Sequence, residues 1–292
     1  MCPDACAGFF RRASRDIRSS QGLDARGTCR LKFIPTEILH NLLMGLQPVA
    51  KFAQRYHSTG INADPEMVDR VFGLYSRFVS VQGKDILEIG PGQTLEILER
   101  ARAEGARSCS AIDVVDYRSP GQAKKLSITC VVYGGREVPF ESDRFDVIWS
   151  YTAFEHLRYP ELTVRECFRI LRPGGCLVAL IDLGDHSYYG CVASGPEKLF
   201  DCLRYPEWLW NLMRWNRSSY VNRLRRSDWI RLFAEAGFIV RTQEATVSKD
   251  VARLLPQMKY LQKYSYDDAV TSVLTVCVEK PMASTSGELA GR

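Results

Sequence analysis

The sequence predicts an α/β fold: a Rossmann-like, doubly wound and mostly parallel sheet of seven strands, with N-terminal helices and a helical insertion after strand five. Two observations predict this class. From Gly83 onward, apolar runs of strand length alternate with stretches of helical periodicity. Several of these runs are apolar on both faces, which is typical of parallel strands that helices cover on two sides.

The composition excludes several other classes. The 292 residues are 46% hydrophobic and 25% charged, which is globular rather than disordered, collagen-like or coiled-coil composition. The net charge of +5 is uneven, because residues 1–60 hold nine Lys/Arg against four Asp/Glu and the remainder is balanced. A balanced body argues against a nucleic-acid partner.

Hydropathy and cysteine usage predict a cytoplasmic protein. No apolar stretch has the length of a membrane span, and the N-terminus lacks the apolar core of a signal peptide. The ten cysteines are scattered and form no C-x-x-C pair, so we expect reduced thiols and no metal site.

The chain is expected to divide into four segments. Residues 1–33 read as a mobile basic arm, 34–80 as an N-terminal helical cap, 81–282 as the sheet domain and 283–292 as a polar tail. Within the sheet domain, residues 184–226 interrupt the strand–helix alternation and are rich in Tyr, Trp and Arg.

Helices come first along the chain. Leu39, Leu42, Leu43 and Leu46 recur at the spacing of an amphipathic helix, which Gly45 and Pro48 end. Shorter helices are predicted through 49–53 and 65–78, and later ones over 95–103, 161–171 and 229–236. The predicted strands are 85–89, 109–115, 127–133, 145–150, 176–181, 238–242 and 271–279.

The loop after the first strand is the expected ligand site, because ligands of open α/β sheets bind beyond the carboxyl ends of the strands. Gly90 and Gly92 permit a tight turn there, and Asp113 at the end of strand two can accept hydrogen bonds from a ribose. A dinucleotide is disfavoured, since Leu95 replaces the third glycine of its motif and Glu88 would face the phosphates. A ribose ligand with a positive centre, such as S-adenosylmethionine (SAM), fits these residues better.

The sequence resembles the class I SAM-dependent methyltransferases, in particular the small-molecule branch called type 11. The resemblance spans about 83–279, and its residues are Leu87-Glu88-Ile89-Gly90-Pro91-Gly92, Ala111-Ile112-Asp113, Val138-Pro139-Phe140 with Phe145-Asp146-Val147-Ile148, Phe154-Glu155-His156-Leu157, and Ile170-Leu171-Arg172-Pro173-Gly174-Gly175.

The resemblance implies that SAM is the cofactor and which residues hold it. Glu88, Gly90 and Gly92 would hold the methionine end, Asp113 the ribose, the loop at Gly134 and Gly135 the adenine, and Ser150 with the following turn the methionine backbone; Gln93, Val114 and His156 complete the expected set. One departure concerns adenine, since Gly134 stands where the family usually has an acidic residue. Adenine would then rely on backbone contacts and apolar walls. Thr94 is a lesser departure.

The catalytic base is expected at the carboxyl end of strand five. His186, next to Asp185, leaves this strand beside the place expected for the transferred methyl group, and could remove a proton from an oxygen acceptor. The alternative is a loop histidine that is only hydrogen-bonded to a neighbouring carboxylate.

The acceptor is expected at the insertion after strand five. Its Trp, Tyr and Arg residues suit an anionic or glycan-like small molecule, although they equally suit a core and a solvated face. O-methylation of a small-molecule or glycan-like acceptor is therefore the favoured function. Methylation of RNA or protein and a non-catalytic SAM-binding accessory subunit are the alternatives, and the sequence leaves the acceptor's identity and the oligomeric state open.

Overall fold

The computed structural model describes residues 29–54, 64–92, 94–115, 128–186 and 195–282. These residues form two compact units. The helical unit contains the described parts of Met1–His57, Asp182–Arg226 and Ala245–Val273, and the sheet unit contains those of Ser58–Ile181, Ser227–Glu244 and Leu274–Arg292. The predicted tail, 283–292, and residues 1–28 of the predicted basic arm lie outside the described residues.

A seven-stranded sheet in the order β3-β2-β1-β4-β5-β7-β6 confirms the predicted Rossmann-like class. β1 lies at its centre and pairs in parallel with both β2 and β4, and β2–β3 and β4–β5 are parallel as well. The strands are β1 Asp85–Ile89, β2 Ser108–Asp113, β3 Thr129–Val132, β4 Phe145–Tyr151, β5 Leu171–Asp182, β6 Ile239–Val247 and β7 Thr271–Glu279.

The last strand is the exception in a mostly parallel sheet, because β7 runs antiparallel to β5. The Gly174 amide donates to the Lys280 carbonyl (2.8 Å), whereas the Leu183 amide donates to the Ser272 carbonyl (2.8 Å), so residue numbers rise along β5 as they fall along β7. An apolar run has the same composition in either direction, which is why the sequence did not reveal this. β5 also begins five residues earlier than predicted, at Leu171.

Four helices accompany the sheet: α3 Pro65–Ser76, α4 Glu96–Ala103, α5 Pro160–Ile170 and α7 Arg226–Glu235. The start of α3 is set by Asp64, whose side chain accepts a hydrogen bond from the Glu66 amide, and by proline at its first position. Its buried face presents Tyr75, whose ring stacks on Trp149 of β4 with centroids 4.5 Å apart. This aromatic contact anchors α3 next to β1.

The helical unit contains α1 Cys29–Met44, α2 Gln47–Gln54, α6 Glu207–Arg214, α8 Lys249–Leu254 and α9 Tyr266–Val270. Its core includes Phe200, Trp210, Met213 and Leu261. The predicted leucine stripe of α1 is present but faces outward, since Leu39 is 58% and Leu42 56% exposed. Periodicity identifies residues that share a helix face, not the direction in which that face points.

Among the described residues, no helix combines the length and the apolar character that crossing a membrane requires.

Candidate functional site

The turn after β1 leaves no room for a side chain at Gly90. Its φ is +74°, and a Cβ atom there would lie 2.4 Å from the Cβ of Ala153, which follows β4. The Gly90 amide donates to the Ile112 carbonyl of β2 (2.9 Å). Glycine therefore lets the loops after β1 and β4 approach closely, which leaves backbone rather than side chains at this edge of the sheet.

Asp113 connects the loops after β1 and β2. Its Oδ2 accepts a hydrogen bond from the Gly92 amide (3.3 Å), and its Oδ1 accepts from the amides of Val114 (2.7 Å) and Val115 (3.4 Å). These amides orient the carboxylate group at the end of β2. The sequence-predicted pair Gly92 and Asp113 is thus brought together.

A small cleft lies between the loop after β1 and strands β2 and β3. Gly92 and Asp113, which the sequence predicted as cofactor residues, line this cleft. Its opposite wall is strand β3 and not the predicted loop at Gly134 and Gly135. The parallel pairing of Asp113 with Val132 puts the β3 residues there. Sequence reasoning missed the β3 residues because the register of β2 and β3 cannot be read from either strand alone. The further lining residues include Pro91, Leu95, Cys130, Val131 and Val132.

Glycines 134 and 135 continue the chain beyond β3. Gly135 has a φ of +75°, and a Cβ at this position would lie 3.5 Å from Cγ1 of Val114. A Cβ at Gly134 would meet nothing within 4 Å. Val114 and Gly135 are therefore neighbours. Gln93 lies outside the described residues.

Glu88 is a buried carboxylic acid in the middle of the sheet. Its side chain is on β1 and 2% of the residue is exposed. Its Oε2 has no hydrogen-bond partner among the described residues. Burial, and secondarily the charge of Asp113, raises the pKa of Glu88 to about 8. The group is therefore mostly protonated at neutral pH, and an opposite charge nearby would favour its ionised form.

Two aromatic residues beside Glu88 have the same unmet hydrogen bonding. Trp149 pairs with Glu88 across β1 and β4, and Tyr75 stacks on Trp149. Both side chains are fully buried, and neither Nε1 of Trp149 nor the hydroxyl of Tyr75 has a hydrogen-bond partner within the described ranges. Burial, followed by the charge of Glu88, raises the pKa of Tyr75 well above its usual value. Sequence reasoning missed Tyr75, because its helix precedes the recognisable motifs.

Ser150 and His156 lie on β4 and on the turn after it. The Ser150 hydroxyl is buried and donates to the Ile89 carbonyl of β1 (3.2 Å), so it ties the two central strands together. His156 ends a short 3-10 turn, Phe154–His156, and its amide donates to the Ala153 carbonyl (3.0 Å). Ser150 and His156 therefore flank Ala153, the residue that packs against Gly90.

His186 and Asp185 belong to the helical unit, just after β5. The Asp185 amide donates to the Leu199 carbonyl (2.7 Å), and 4% of Asp185 is exposed. Nε2 of His186 lies 3.8 Å from Oδ2 of Asp182, the buried last residue of β5. Burial lowers the pKa of His186 to about 4, so its imidazole is neutral at physiological pH. Sequence reasoning gave Asp182 no role.

A buried arginine holds the segment that carries these residues. Arg225 is 1% exposed, and its guanidinium donates to the carbonyls of Leu183 (2.8 Å), Asp268 (2.9 Å) and Thr271 (2.6 Å). Its cation also lies over the Phe200 ring at 4.3 Å. The first residues after β5 are therefore fixed to the end of α9 by a charged side chain.

Three arginines of residues 195–226 have partners within the helical unit. Arg214 and Arg217 pair with Glu37 of α1, and Arg223 donates to the Tyr205 carbonyl (2.7 Å). The indole of Trp210 donates to the Val221 carbonyl (2.8 Å). These contacts are those of a packed interior.

The sheet unit fits SAM on its own geometry. Glu88 is a buried carboxylic acid with one oxygen that has no hydrogen-bond partner in the described part of the chain, and it suits the positive groups of the methionine end. The close turn at Gly90 suits an approach of the ligand to the backbone. The carboxylate of Asp113 at the end of β2 suits the hydroxyl groups of a ribose.

Comparisons with known proteins agree with this fit. Residues 87–179 match the family described as a methyltransferase domain. Ubiquinone biosynthesis O-methyltransferase of Nitrosospira multiformis is 23% identical over 212 residues, which are 68% of this chain and 82% of that protein. The Coxiella burnetii protein of the same name is 22% identical over 181 residues, 60% of this chain and 76% of that protein.

A solved structure shares the fold. The crystal structure of a candidate methyltransferase from Bacillus halodurans C-125 is 15% identical, has a TM-score of 0.50, and covers 72% of this chain and 99% of its own. The matched family segment contains Glu88, the Gly90 turn and Asp113. Residues 87–179 therefore form a methyltransferase domain that is similar to the type 11 family, and the protein is a SAM-dependent methyltransferase, an enzyme that uses SAM as its cofactor.

Proposed function

We propose that this enzyme methylates a hydroxyl oxygen of a small-molecule acceptor, and that His186 is the base that receives the hydroxyl proton. The observation that carries the proposal is the neutral, largely buried imidazole of His186, four residues beyond the end of β5. The names of the two relatives, both O-methyltransferases of ubiquinone biosynthesis, support a small-molecule acceptor for this chain as well.

The cofactor would be held by the sheet unit. SAM supplies a methyl group that is already activated on a sulfonium, so alignment and proton removal are the protein's tasks. Glu88 would face the positive methionine end, Asp113 would accept from the ribose hydroxyls, and Ser150 would support the strand pair beneath them. The other residues proposed to contact the cofactor are Gly90, Gly92, Gln93, Val114, Gly134, Gly135 and His156.

The proton would pass to a ring whose surroundings can stabilise it. His186 is neutral at pH 7, because burial disfavours its charged form. Once protonated, the ring would face the carboxyl group of Asp182 at 3.8 Å. Asp185 would help to orient the segment, since its amide is fixed to Leu199.

We also propose that residues 184–226 lie on the acceptor side of a methyltransferase domain spanning 81–282, with 34–80 as a cap. The sequence suggested an anionic or glycan-like acceptor there. The internal partners of Arg214, Arg217 and Arg223 instead favour recognition of an uncharged hydroxylated group. A cytoplasmic setting is part of the proposal and is supported by free thiols at Cys109, Cys167 and Cys202.

The experiment measures methyl transfer from SAM to phenols, hydroxylated quinols, sugars, phenolic acids and nucleotide sugars, after a thermal-shift screen of the SAM-loaded protein. With the best acceptor, we expect His186→Ala to lower kcat by about 10²- to 10⁴-fold while leaving the Kd of SAM unchanged. The matched control is His40→Ala, an exposed histidine on α1, which should retain full turnover.

Two results would overturn the proposal. Turnover of His186→Ala within about threefold of wild type would remove the base assignment. Transfer to a nitrogen or carbon atom in the identified product would refute O-methylation.

A further inference from the structure

The face of the sheet around Glu88 buries three polar atoms that have no hydrogen-bond partner within the described residues. They are Oε2 of Glu88, the hydroxyl of Tyr75 and Nε1 of Trp149. Glu88 is 2% exposed, and Tyr75 and Trp149 are fully buried. Buried polar atoms are normally hydrogen-bonded, so three unmet atoms at one place indicate a site whose hydrogen bonds form in another state of the protein.

The three side chains share one face of the sheet. Glu88 of β1 and Trp149 of β4 are partners in the parallel register, so their side chains project to the same side. Tyr75 of α3 stacks on Trp149, with ring centroids 4.5 Å apart and an angle of 8° between the planes. Phe72, which precedes Tyr75 by three residues on α3, meets the same indole edge-on at 6.1 Å. The packing of α3 therefore fixes the Tyr75 ring over this face.

The hydrogen-bonding capacity of Glu88 changes when it ionises. Because burial raises its pKa to about 8, Glu88 is mostly a neutral acid at pH 7 without a ligand. Once ionised, its oxygens only accept hydrogen bonds, and a buried carboxylate without donors is strongly destabilised. Trp149 has one N–H in a fixed direction, whereas the O–H of Tyr75 rotates about its C–O bond. Tyr75 is therefore the donor that can follow the carboxylate.

The ionisable groups around Glu88 give its charged form little support. The groups that act on Glu88 and its neighbours belong to four elements: Asp113 and Cys109 of β2, Tyr75 of α3, Tyr151 of β4 and Arg102 of α4. Asp113 disfavours a second negative charge. Burial raises the pKa values of Cys109 and Tyr75, so both are neutral at pH 7. Arg102 is exposed, and the solvent screens its charge. The ionised form of Glu88 therefore depends on a cationic ligand and on hydrogen-bond donors.

We propose that Tyr75 is a positioning residue for the cofactor: its hydroxyl donates a hydrogen bond to the carboxylate of Glu88 once that group ionises on SAM binding. The proton of Glu88 leaves to solvent, and the new hydrogen bond holds the carboxylate in the direction of the positive methionine end. Helix α3, which precedes the matched family segment, thereby becomes part of the cofactor site. The inference rests on the placement of Glu88 in the proposed function and is independent of the acceptor.

The test is the Kd of SAM for the wild type and for Tyr75→Phe, measured by isothermal titration calorimetry at pH 6, 7, 8 and 9. Phenylalanine keeps the ring that stacks on Trp149 and removes only the hydroxyl. At pH 7 we expect the Kd of the variant to be about tenfold larger, because its Glu88 ionises less readily. At pH 9, above the pKa of about 8, Glu88 is largely ionised before SAM binds, and the difference should shrink to less than about threefold.

Two controls separate the hydroxyl from packing. Phe72→Leu changes a ring that contacts the same indole but has no hydrogen-bonding group, so any change in the Kd of SAM should be the same at every pH. In the Glu88→Gln background, Tyr75→Phe should change the Kd by less than about twofold, since no carboxylate forms. Urea denaturation shows that each variant is folded.

The outcomes distinguish this inference from the proposed function. A loss of affinity in Tyr75→Phe that is the same at every pH, or that persists in the Glu88→Gln background, would overturn the role of Tyr75. Unchanged affinity of Tyr75→Phe at pH 7, together with weakened binding by Glu88→Gln, would refute Tyr75 and leave the placement of Glu88 intact. Unchanged affinity of Glu88→Gln would remove that placement, and the role of Tyr75 with it.

Discussion

Two buried carboxyl groups on the same strand, Asp85 and Glu88, have opposite surroundings. Asp85, at the start of β1, is 4% exposed and pairs with Arg107 (2.6 Å) and Arg172 (2.9 Å). Glu88, three residues later, is 2% exposed, and its Oε2 has no hydrogen-bond partner within the described residues. Arginine pairing and a serine hydrogen bond hold the pKa of Asp85 well below its usual value, whereas burial raises that of Glu88 to about 8.

The surroundings of Asp85 and Glu88 distinguish a carboxylate that stabilises the fold from a carboxyl group that we propose interacts with a ligand. At the start of β1 the protein's own arginines neutralise the buried carboxylate of Asp85. Asp146 belongs to the same cluster, because it accepts a hydrogen bond from the Asp85 amide (2.8 Å) and pairs with Arg172 (2.9 Å). At the end of β1, Oε2 of Glu88 has no hydrogen-bond partner among the described residues, and in the proposed function the positive groups of the cofactor would be its partners. Asp146, at the start of β4, therefore has a structural role.

The largest expected effect comes from Glu88→Gln. The amide keeps the shape but not the negative charge, so SAM affinity should fall about 10- to 100-fold, the value of a hydrogen bond to a charged group. Isothermal titration calorimetry measures this change. The unfolding free energy at pH 7 without ligand should change little, because the variant replaces a mostly protonated carboxyl group by a neutral amide of the same shape. Unchanged SAM affinity would show that Glu88 faces no part of the cofactor.

Asp85→Asn should give the converse result. It removes the buried charge that two arginines share, and we expect the unfolding free energy to fall by about 2 kcal/mol. SAM affinity of the folded variant should stay within about twofold of wild type, since no ligand contact is lost. Urea denaturation measures the unfolding free energy, and isothermal titration calorimetry measures the SAM affinity. A loss of affinity without a loss of stability would mean that the two ends of β1 are not independent.

The pH dependence of stability should distinguish the two groups. Glu88 has a raised pKa in the folded state, so its stabilising contribution is complete below about pH 4 and is lost as pH rises through about 8. The contribution of Asp85, whose pKa is lowered, is complete above about pH 4 and constant from pH 5 to 8. The wild type should therefore lose up to about 1.4 kcal/mol per pH unit relative to Glu88→Gln across that range.

Denaturation of both proteins at pH 5, 6, 7 and 8 without ligand measures this difference. His186, whose pKa is lowered to about 4, destabilises both proteins equally as pH falls below about 6.5, so its effect cancels. A difference that does not vary with pH would place the pKa of Glu88 near its ordinary value.

The smallest expected effect is that of Ser108→Ala. The Ser108 hydroxyl donates to Oδ1 of Asp85 (2.6 Å), and its removal should lower the unfolding free energy by about 1 kcal/mol. In the Asp85→Asn background the same change should have a smaller effect, because the charged acceptor is already gone. A double-mutant cycle by urea denaturation measures the coupling. Additive effects would show that the serine acts independently of Asp85.

Most of the fold could be predicted from local sequence patterns. Two directions could not be predicted: that of one strand in the sheet and that in which one helix face points. Apolar runs and glycine turns predicted all seven strands, and the signal is strongest for the buried central strands β1 and β4, whose sequences are nearly continuously apolar. The antiparallel sense of β7 and the outward face of Leu39 and Leu42 were not predictable in this way. Both depend on which element packs against which, and periodicity carries no information about that.

The site was predictable only where short sequence motifs contain its residues. Gly90, Gly92 and Asp113 were found because a tight turn and a strand-end carboxylate leave a sequence signature. The β3 wall of the cleft and the contact of Tyr75 with Trp149 were missed, since they arise from register and from helix packing between distant segments. The roles of His186 and Asp185 stay predictions.

The position of β7 has a consequence for synthesis on the ribosome. Strands β3, β2, β1, β4 and β5 are complete once residue 182 has been made, but β5 meets its second neighbour only when Thr271–Glu279 emerge. Until then β5 is an unpaired edge that carries Leu177, Val178 and Leu180, and β6 has no partner in its final place. A nascent chain or a truncation ending before Thr271 would therefore expose an apolar edge, so the last strand protects the finished enzyme from aggregation.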